Sequence, residues 1–385
     1  MKVLLVCKIS PLKEGGAEIR SKEVAFRLAK MGHDVTVFCA KGHFDDPERQ
    51  RINGVTIIHK SIFPGWLLKR FPYPSYFLLA SISLLLMFPL FFLLRKEKYD
   101  LVREDFSPFP PSGLLALVRL PVRRRIMVTH NLSGTLKGWV KFYGVLYGSA
   151  GYLMDRWLRA GRLKFDRIIC DGKWFADELK QHPKIADKVS YIPNGVNLDE
   201  FDNAQKARIS NGTTRLLCVG RLVETKGFRY AIEALGVLKR EYPHLKMDIW
   251  GNGPLKESLK RLAAERGVSE MLRFREPVSH AEMPAIYRKY DFFLMPSLFE
   301  GLPVALIEAM ASRLPIIATD IPAITGILDH DSATFATKEN AADLAEKLKW
   351  AIQHPMDVAR NAESAYRIAQ SYDWETTARQ EIEEV

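Results

Sequence analysis

The sequence predicts an α/β protein built from two doubly wound units, each a parallel sheet flanked by helices, joined near residues 190–214. Three observations carry this prediction. Apolar runs of strand length alternate with longer stretches of helical periodicity along most of the chain. The alternation stops at a polar stretch, Asp199–Thr214, and then restarts. The length, 385 residues, accommodates two domains of roughly 100–200 residues each.

Val3–Cys7 is a continuous apolar run, the pattern of a strand buried on both faces, and Gly15-Gly16 lies in the loop after it. A helix follows over Ala17–Met31, because Ile19, Val24, Leu28 and Met31 recur near helical spacing and Gly32 supplies a stop. Val35–Ala40 is the next strand. Strand, glycine loop, helix and strand open a βαβ unit, so the sheet is expected to be parallel. Tyr99–Val102, Arg125–Thr129 and Arg167–Cys170 continue the set. After the polar stretch come strand Leu216–Val219, helix Phe228–Leu238, strand Met247–Trp250, helix Leu255–Arg266, and strands Phe292–Met295 and Pro315–Ala318. Three helical segments end the chain: Asn340–Gln353, Asp357–Ser371 and Trp374–Glu384.

Composition excludes several classes. At 47% apolar and 11% aromatic, the chain is not disordered, collagenous or of low complexity. No repeat of 20–50 residues points to a solenoid or propeller. Cys7, Cys39, Cys170 and Cys218 sit in or beside apolar runs, without metal-site spacing or a disulfide framework, so a reducing cytoplasm is expected. The five-residue run Val3–Cys7 is too short for a signal peptide, and the sequons at Asn131 and Asn211 read as chance matches. The net charge of +11 is unevenly placed. Residues 1–190 carry 32 Lys+Arg and 17 Asp+Glu, a net +15, and the remainder is −4. A basic half of this kind suits an anionic partner, membrane or nucleic acid.

The richest stretch is Pro296–Ala318, P-S-L-F-E-G-L-P-V-A-L-I-E-A-M-A-S-R-L-P-I-I-A. Glu300 follows an apolar strand, Gly301 and Leu302 make the turn, and Pro303 is placed to open the next helix, where its missing N–H costs nothing. The helix N-terminus would offer backbone N–H groups to an anion, with Glu308 about one and a half turns further on, roughly 7 Å. An anion site flanked by two carboxylates suits a diphosphate carrying hydroxyl-rich sugars on both sides; two solvated carboxylates at a helix start fit the same spacing. Arg221 and Lys226, between a strand end and a helix in V-G-R-L-V-E-T-K-G, could hold a diphosphate leaving group without a metal, or could form an exposed basic loop.

Taken together, these segments resemble the retaining glycosyltransferases of the GT-B fold, specifically family 4. The resemblance covers nearly the whole chain: G-G-A-E (Gly15–Glu18), V-T-H (Val128–His130), I-P-N-G-V (Ile192–Val196), G-R-L-x-x-x-K-G (Gly220–Gly227), G-N-G-P (Gly251–Pro254), E-x7-E (Glu300–Glu308) and the ending S-Y-D-W (Ser371–Trp374). It implies two Rossmann-like domains facing a central cleft: 1–195 for the acceptor, 196–370 for a nucleotide diphosphate sugar, and a helix, 371–385, crossing back to the first. It further implies that Arg221 and Lys226 bind the donor diphosphate, that Glu308 takes the ribose hydroxyls and that Glu300 takes those of the transferred sugar. Gly15 and Gly16, the second through its backbone N–H, would reach the diphosphate, and His130 would face the reacting sugar. Gly301, Leu302 and Pro303 would complete the donor loop. No metal or other cofactor is expected; Asp329-His330-Asp331 mimics a metal-binding D-x-D and reads as a polar turn. The chain departs from the family pattern at Glu276, Arg313 and Ala323, and a later glycine is missing around Ser332–Phe335.

Tyr76–Leu94 is 19 residues without a charge, long enough to span a membrane. Spanning would place strands of one sheet on opposite sides of the bilayer, and Pro89 interrupts the helix. Segment 62–98 therefore either covers the sheet or dips into one leaflet. Trp66, Lys69, Arg70, Arg95, Lys96, Arg123, Arg124 and Arg125 are the expected membrane contacts, aromatic at the interface and basic at anionic headgroups. The expected protein is a hexosyltransferase, peripheral at the cytoplasmic face, acting on a lipid or lipid-linked glycan in cell-envelope polysaccharide or glycolipid synthesis. No stacking-and-basic motif suggests nucleic acid. A sugar-nucleotide epimerase and a catalytically weak membrane scaffold are the alternatives.

Overall fold

The structure is a computed structural model that describes residues 1–12, 15–40, 46–60, 90, 94, 96–105, 122–130, 136–202 and 212–383. The chain forms two compact units, Met1–Asn194 with Trp374–Val385, and Gly195–Asp373.

The first unit is built on strands β1 (Lys2–Ile9), β2 (Asp34–Ala40), β3 (Arg49–Ile52), β4 (Val55–Lys60), β5 (Leu101–Asp105), β6 (Arg124–Thr129), β7 (Arg167–Cys170) and β8 (Val189–Tyr191). They lie in the order β3-β4-β2-β1-β5-β6-β7-β8, all parallel except β3 against β4. Helices α1 (Gly16–Lys30), α2 (Leu136–Arg159) and α3 (Lys173–Lys180) connect them. The unbroken apolar run in β1 has its reason here. Val3 and Leu5 pack with Val24 and Leu28 of α1, while Leu4 and Val6 pack with Phe38, Tyr99 and Val102 on the other face. The β3–β4 hairpin is an element that the strand search missed. Its signal was present: Asn53-Gly54, at φ 47° and 82°, is the favoured two-residue turn between antiparallel strands.

The last helix of the chain, Trp374–Glu383, belongs to this first unit. Its Glu381 accepts from Arg20 of α1 at 2.7 and 3.0 Å and from Arg103 of β5 at 2.6 Å, and all three are buried. Arg20 also donates to the Ile192 carbonyl and to Asn194. One carboxylate shared by two guanidiniums fixes helix, strand and linker together.

Most of the apolar run, with Trp66, Lys69, Arg70 and Arg95, lies outside the described residues, as do Asn131 and Asn211. Leu90 and Leu94, at its end, are buried against Leu4, Val6, Phe38 and Tyr99. That end of the run covers the sheet, which decides between the two readings for these residues. Arg125 requires a second correction. It is not a surface cation: it is buried, paired with Glu104 of β5 and stacked over Phe165. It follows the exposed Arg123 and Arg124, and strand alternation turns it inward.

The second unit is an all-parallel sheet of β9 (Arg215–Val219), β10 (Lys246–Trp250), β11 (Leu272–Arg275), β12 (Phe292–Met295), β13 (Ile316–Thr319) and β14 (Thr334–Ala336), ordered β11-β10-β9-β12-β13-β14. Helices α4 (Phe228–Leu238), α5 (Lys256–Glu265), α6 (Met283–Tyr287), α7 (Val304–Ala311), α8 (Ala341–Gln353) and α9 (Pro355–Ala369) surround it. The order reverses between β9 and β12, and in open α/β sheets ligands bind outside the strand carboxyl ends at such a switch point. Helix α9 starts two residues before its expected start, because Pro355 sits at the first helical position, which proline favours.

Candidate functional site

In the second unit the loop after β9 and the loop after β12 lie side by side. The backbone N–H of Leu298 donates to the Thr225 carbonyl at 2.8 Å. Gly227 makes the approach possible: its φ is 61°, and a Cβ there would stand 1.9 Å from the Pro296 carbonyl oxygen. Lys226, held one residue earlier, donates to Glu300 Oε1 at 2.6 Å, and Ser297 donates to the same oxygen at 2.7 Å. Glu300 Oε2 has no hydrogen bond among the described residues, so the fixed carboxylate keeps one oxygen for a ligand. Arg221, on the same loop as Lys226, is exposed and makes no side-chain hydrogen bond or ion pair among the described residues. One cation is pinned and the other is free.

Gly301 and Leu302 lead from Glu300 into α7. Pro303 does not open the helix, as the spacing suggested: it is the N-cap, with extended φ and ψ of −72° and 117°, and Val304 is the first helical residue. Leu306 and Ile307 donate to the Pro303 carbonyl, which leaves the N–H groups of Val304 and Ala305 in the first turn of α7 without an acceptor in the helix. Glu308, in the middle of α7, is 3% exposed, and its two oxygens take different donors. His280 Nε2 lies 2.6 Å from Oε1, and the Tyr287 hydroxyl donates to Oε2 at 2.8 Å. Burial and the nearby Glu308 charge push the Tyr287 phenol well above its ordinary pKa, so it stays a donor. Neither His280 nor Tyr287 was singled out from the sequence. Their signal was weak, a polar residue and a tyrosine just before β12, and only the fold aims them at Glu308.

Two departures from the family pattern have local partners. Glu276 pairs with Lys256 and accepts from Asn252 of the G-N-G-P turn at 3.3 Å. Arg313 adopts φ 52°, the left-handed region that favours glycine. It is held there by Asp202 at 2.9 Å, by Glu363 and by a stack on Tyr366 at 3.5 Å. Asp329 accepts from the Asp331 backbone N–H and the Ser332 hydroxyl, so the D-x-D look-alike forms a turn. Among the described residues no group of three metal-ligating side chains exists.

In the first unit, Gly15 is the N-cap of α1 and Gly16 its first, exposed residue, with one of the N–H groups that a helix leaves without an internal partner. His130 follows β6 directly. Its Nδ1 lies 2.8 Å from Asp171 Oδ2, directly after β7, and its Nε2 lies 3.9 Å from Asp105, the last residue of β5. Burial opposes charging the imidazole, but Asp171 and Asp105 outweigh it and push His130 up to about 9. Burial likewise opposes ionising Asp105, and Arg103, His130 and Ser21 hold its carboxyl well below the usual range. The two aspartates were also missed in the sequence, although each stands at a strand's carboxyl end.

Comparisons with known proteins fall on both units. The model described as Glycosyltransferase Family 4 matches residues 14–200, and the model described as Glycosyl transferases group 1 matches residues 199–368. This chain belongs to the family 4, group 1 glycosyltransferases. An uncharacterized glycosyltransferase of Methanocaldococcus jannaschii is 23% identical over 406 residues, covering 99% of this chain and 97% of that protein. A D-inositol 3-phosphate glycosyltransferase of Streptomyces avermitilis is 29% identical over 231 residues, 55% of this chain; the matched region spans 50% of that relative's length. Among solved structures, sucrose-phosphate synthase from Thermosynechococcus elongatus superposes with a TM-score of 0.83 at 18% identity, over 100% of this chain and 98% of that one. Anabaena HepE in complex with UDP-glucose gives 0.74 at 16% identity, over 100% and 99%. At these identities the structural likeness establishes the GT-B fold. The protein is a glycosyltransferase of two parallel-sheet α/β units, and no helix among the described residues is long and apolar enough to cross a membrane.

Proposed function

We propose that this glycosyltransferase moves a hexose-type sugar from a nucleotide diphosphate sugar to a lipid or lipid-linked glycan, with retention of anomeric configuration and without a metal. The observation that carries the reading is the Lys226–Glu300 pair, which leaves one Glu300 oxygen and all of Arg221 uncommitted beside the start of α7. A sugar diphosphate is matched by that arrangement. Glu300 Oε2 accepts from a sugar hydroxyl, Arg221 and Lys226 take the diphosphate with the backbone of Gly301, Leu302 and Pro303, and Glu308 accepts from ribose. Gly15 and Gly16 serve the diphosphate, and His130 the reacting sugar. The UDP-glucose bound to Anabaena HepE is of the same donor class.

In the step itself the C1–O bond to phosphate breaks and its electron pair goes to the leaving oxygen. Arg221 and Lys226 stabilise the charge that develops there, as fixed donors do where charge appears in a transition state. The acceptor oxygen bonds to C1 on the same face, and its proton passes to the departing phosphate. The acceptor class rests on the +15 of residues 1–190 and on the exposed Lys96, Arg123 and Arg124, which suit an anionic membrane at its cytoplasmic face.

The test is a panel of UDP-, GDP-, ADP- and dTDP-sugars, scored for nucleoside diphosphate release with and without lipid acceptors, with product anomers read by nuclear magnetic resonance. Release with a retained anomer is expected. Silence across the panel, an inverted anomer, or an epimerised donor overturns the reading. Vesicles containing anionic lipid should float the protein, less so at high salt and less with Arg123 and Arg124 changed to Ser. Failure to float at low salt removes the membrane part.

A further inference from the structure

The adjacent parallel strands β5, β6 and β7 deliver three chemically active side chains to one edge of the first sheet. Asp105 pairs with Val128 in register, and Thr129 with Cys170, so His130 and Asp171 each leave their strand one residue later. Asp171 is 2% exposed, whereas the His130 side chain is 23% exposed. The Asp171 Oδ2 to His130 Nδ1 distance of 2.8 Å is that of a strong hydrogen bond. The contact fixes one side of the ring: a carboxylate can only accept, so Nδ1 carries a proton. The other nitrogen, Nε2, makes no hydrogen bond among the described residues, and neither do Asp171 Oδ1 and the Thr129 hydroxyl. Buried polar atoms are rarely left without partners, and three together at strand ends mark a place where a polar ligand group can supply them.

We propose that Asp171 is a positioning residue that orients His130 and holds it as an imidazolium, so that Nε2–H serves the transferred sugar as a charged donor. The inference rests on the assignment of His130 to the reacting sugar made above, and adds the group that sets its state. Donation is the role the surroundings permit. A base must be able to take up a proton, and His130, at about 9, already carries one at neutral pH. The charged groups around the ring agree. Asp171 stands on one side and Asp105 on the other. Arg103 of β5 binds Asp105 at 2.6 Å, and Ser21 of α1 donates to Asp105 and accepts from Arg103. Beyond Arg103 lies Glu381, also bound at 2.6 Å. Cys7 of β1, near Asp105, stays a neutral thiol because burial and that carboxylate raise its pKa. Asp105 is thus already satisfied by Arg103 and Ser21, whereas Asp171 has its oxygen on the imidazole. Removing the Asp171 charge is therefore the change that acts on His130 most directly.

The experiment is a titration of histidine-labelled protein by nuclear magnetic resonance, with the His130 signal among the nine histidines assigned through His130→Gln. In the wild type the His130 midpoint should lie at about 9. In Asp171→Asn it should fall by roughly one to three units, the size of an opposite-charge effect at contact distance. Nucleoside diphosphate release from UDP-glucose and GDP-mannose is followed in parallel. There Asp171→Asn should lower kcat by roughly 10–100-fold, as expected for a misaligned group, with donor KM changed little and the alkaline limb of the pH profile moved down with the titration midpoint. An ordinary midpoint in the wild type overturns the proposal even if the variant does not fold. An unchanged midpoint in a folded Asp171→Asn does the same. A shifted midpoint with full turnover in both His130→Gln and Asp171→Asn refutes the assignment of His130 to the sugar while leaving the Asp171 contact standing.

Discussion

Glu308→Gln separates two roles that the structure gives one carboxylate. Glu308 is 3% exposed and accepts from His280 at 2.6 Å and Tyr287 at 2.8 Å, so it pins α6 and its preceding turn to α7. On the donor-site reading its remaining lone pairs accept from the ribose hydroxyls. The substitution keeps volume and removes charge. Both protein contacts weaken from charge-assisted to neutral hydrogen bonds, and one of them now faces an NH2 group. Since hydrogen bonds to charged groups are worth about 1.5–3 kcal/mol and neutral ones about 0.5–1.5, unit stability should fall by about 1–3 kcal/mol. The ligand side loses a comparable amount for each hydroxyl, so kcat/KM for the sugar nucleotide should fall by roughly 10- to 1000-fold. Tyr287→Phe is the control. It deletes one protein donor and leaves the charge, so it should cost stability with little effect on donor KM. The assay pairs thermal unfolding with nucleoside diphosphate release over a range of donor concentrations. If folded Glu308→Gln keeps kcat/KM within about threefold of wild type, Glu308 is only a pin in the core and the ribose assignment fails.

Other outcomes follow from the same geometry. Lys226→Ala strands Glu300 without its cation and removes leaving-group stabilisation, so donor turnover should drop by roughly two to three orders of magnitude; the free Arg221→Ala should lower turnover while leaving the melting temperature near wild type. A chelator such as EDTA should leave donor turnover unchanged, and activity restored only by an added divalent ion would refute the metal-independent reading. Glu381→Ala leaves the buried Arg20 guanidinium without a carboxylate among the described residues and takes one of two from Arg103, which keeps Asp105, and should destabilise the first unit by about 3–5 kcal/mol, read by chemical denaturation. Burial opposes ionising Glu381, but Arg103 and Arg20 outweigh it and hold its pKa below the ordinary carboxylate value. Its contribution is therefore present above about pH 4 and lost as pH falls further, so the variant should lose less stability between neutral and acid pH than the wild type does.

The family and the alternation of strands and helices were legible because both are local. A run such as Val3–Cys7 must be buried on both faces wherever it sits, and G-R-L-x-x-x-K-G keeps its spacing in any view of the chain. Asn53-Gly54 was equally local, a hairpin signal overlooked between two alternating segments. The linear order of residues by itself determined two α/β units, the loop carrying Arg221 and Lys226, and the eight-residue spacing of Glu300 and Glu308. Only the tertiary structure decided which partners complete these groups. Lys226 and Glu300 are 74 residues apart, His130 and Asp171 are 41, and Arg20 and Glu381 are 361. It also turned Arg125 inward onto Glu104 while Arg123 and Arg124 stayed exposed. The physical reason is the parallel sheet. It brings strand ends from distant parts of the chain to one edge, so a polar residue that looks like a loop residue in sequence becomes a neighbour in space, and burial then makes each such contact count.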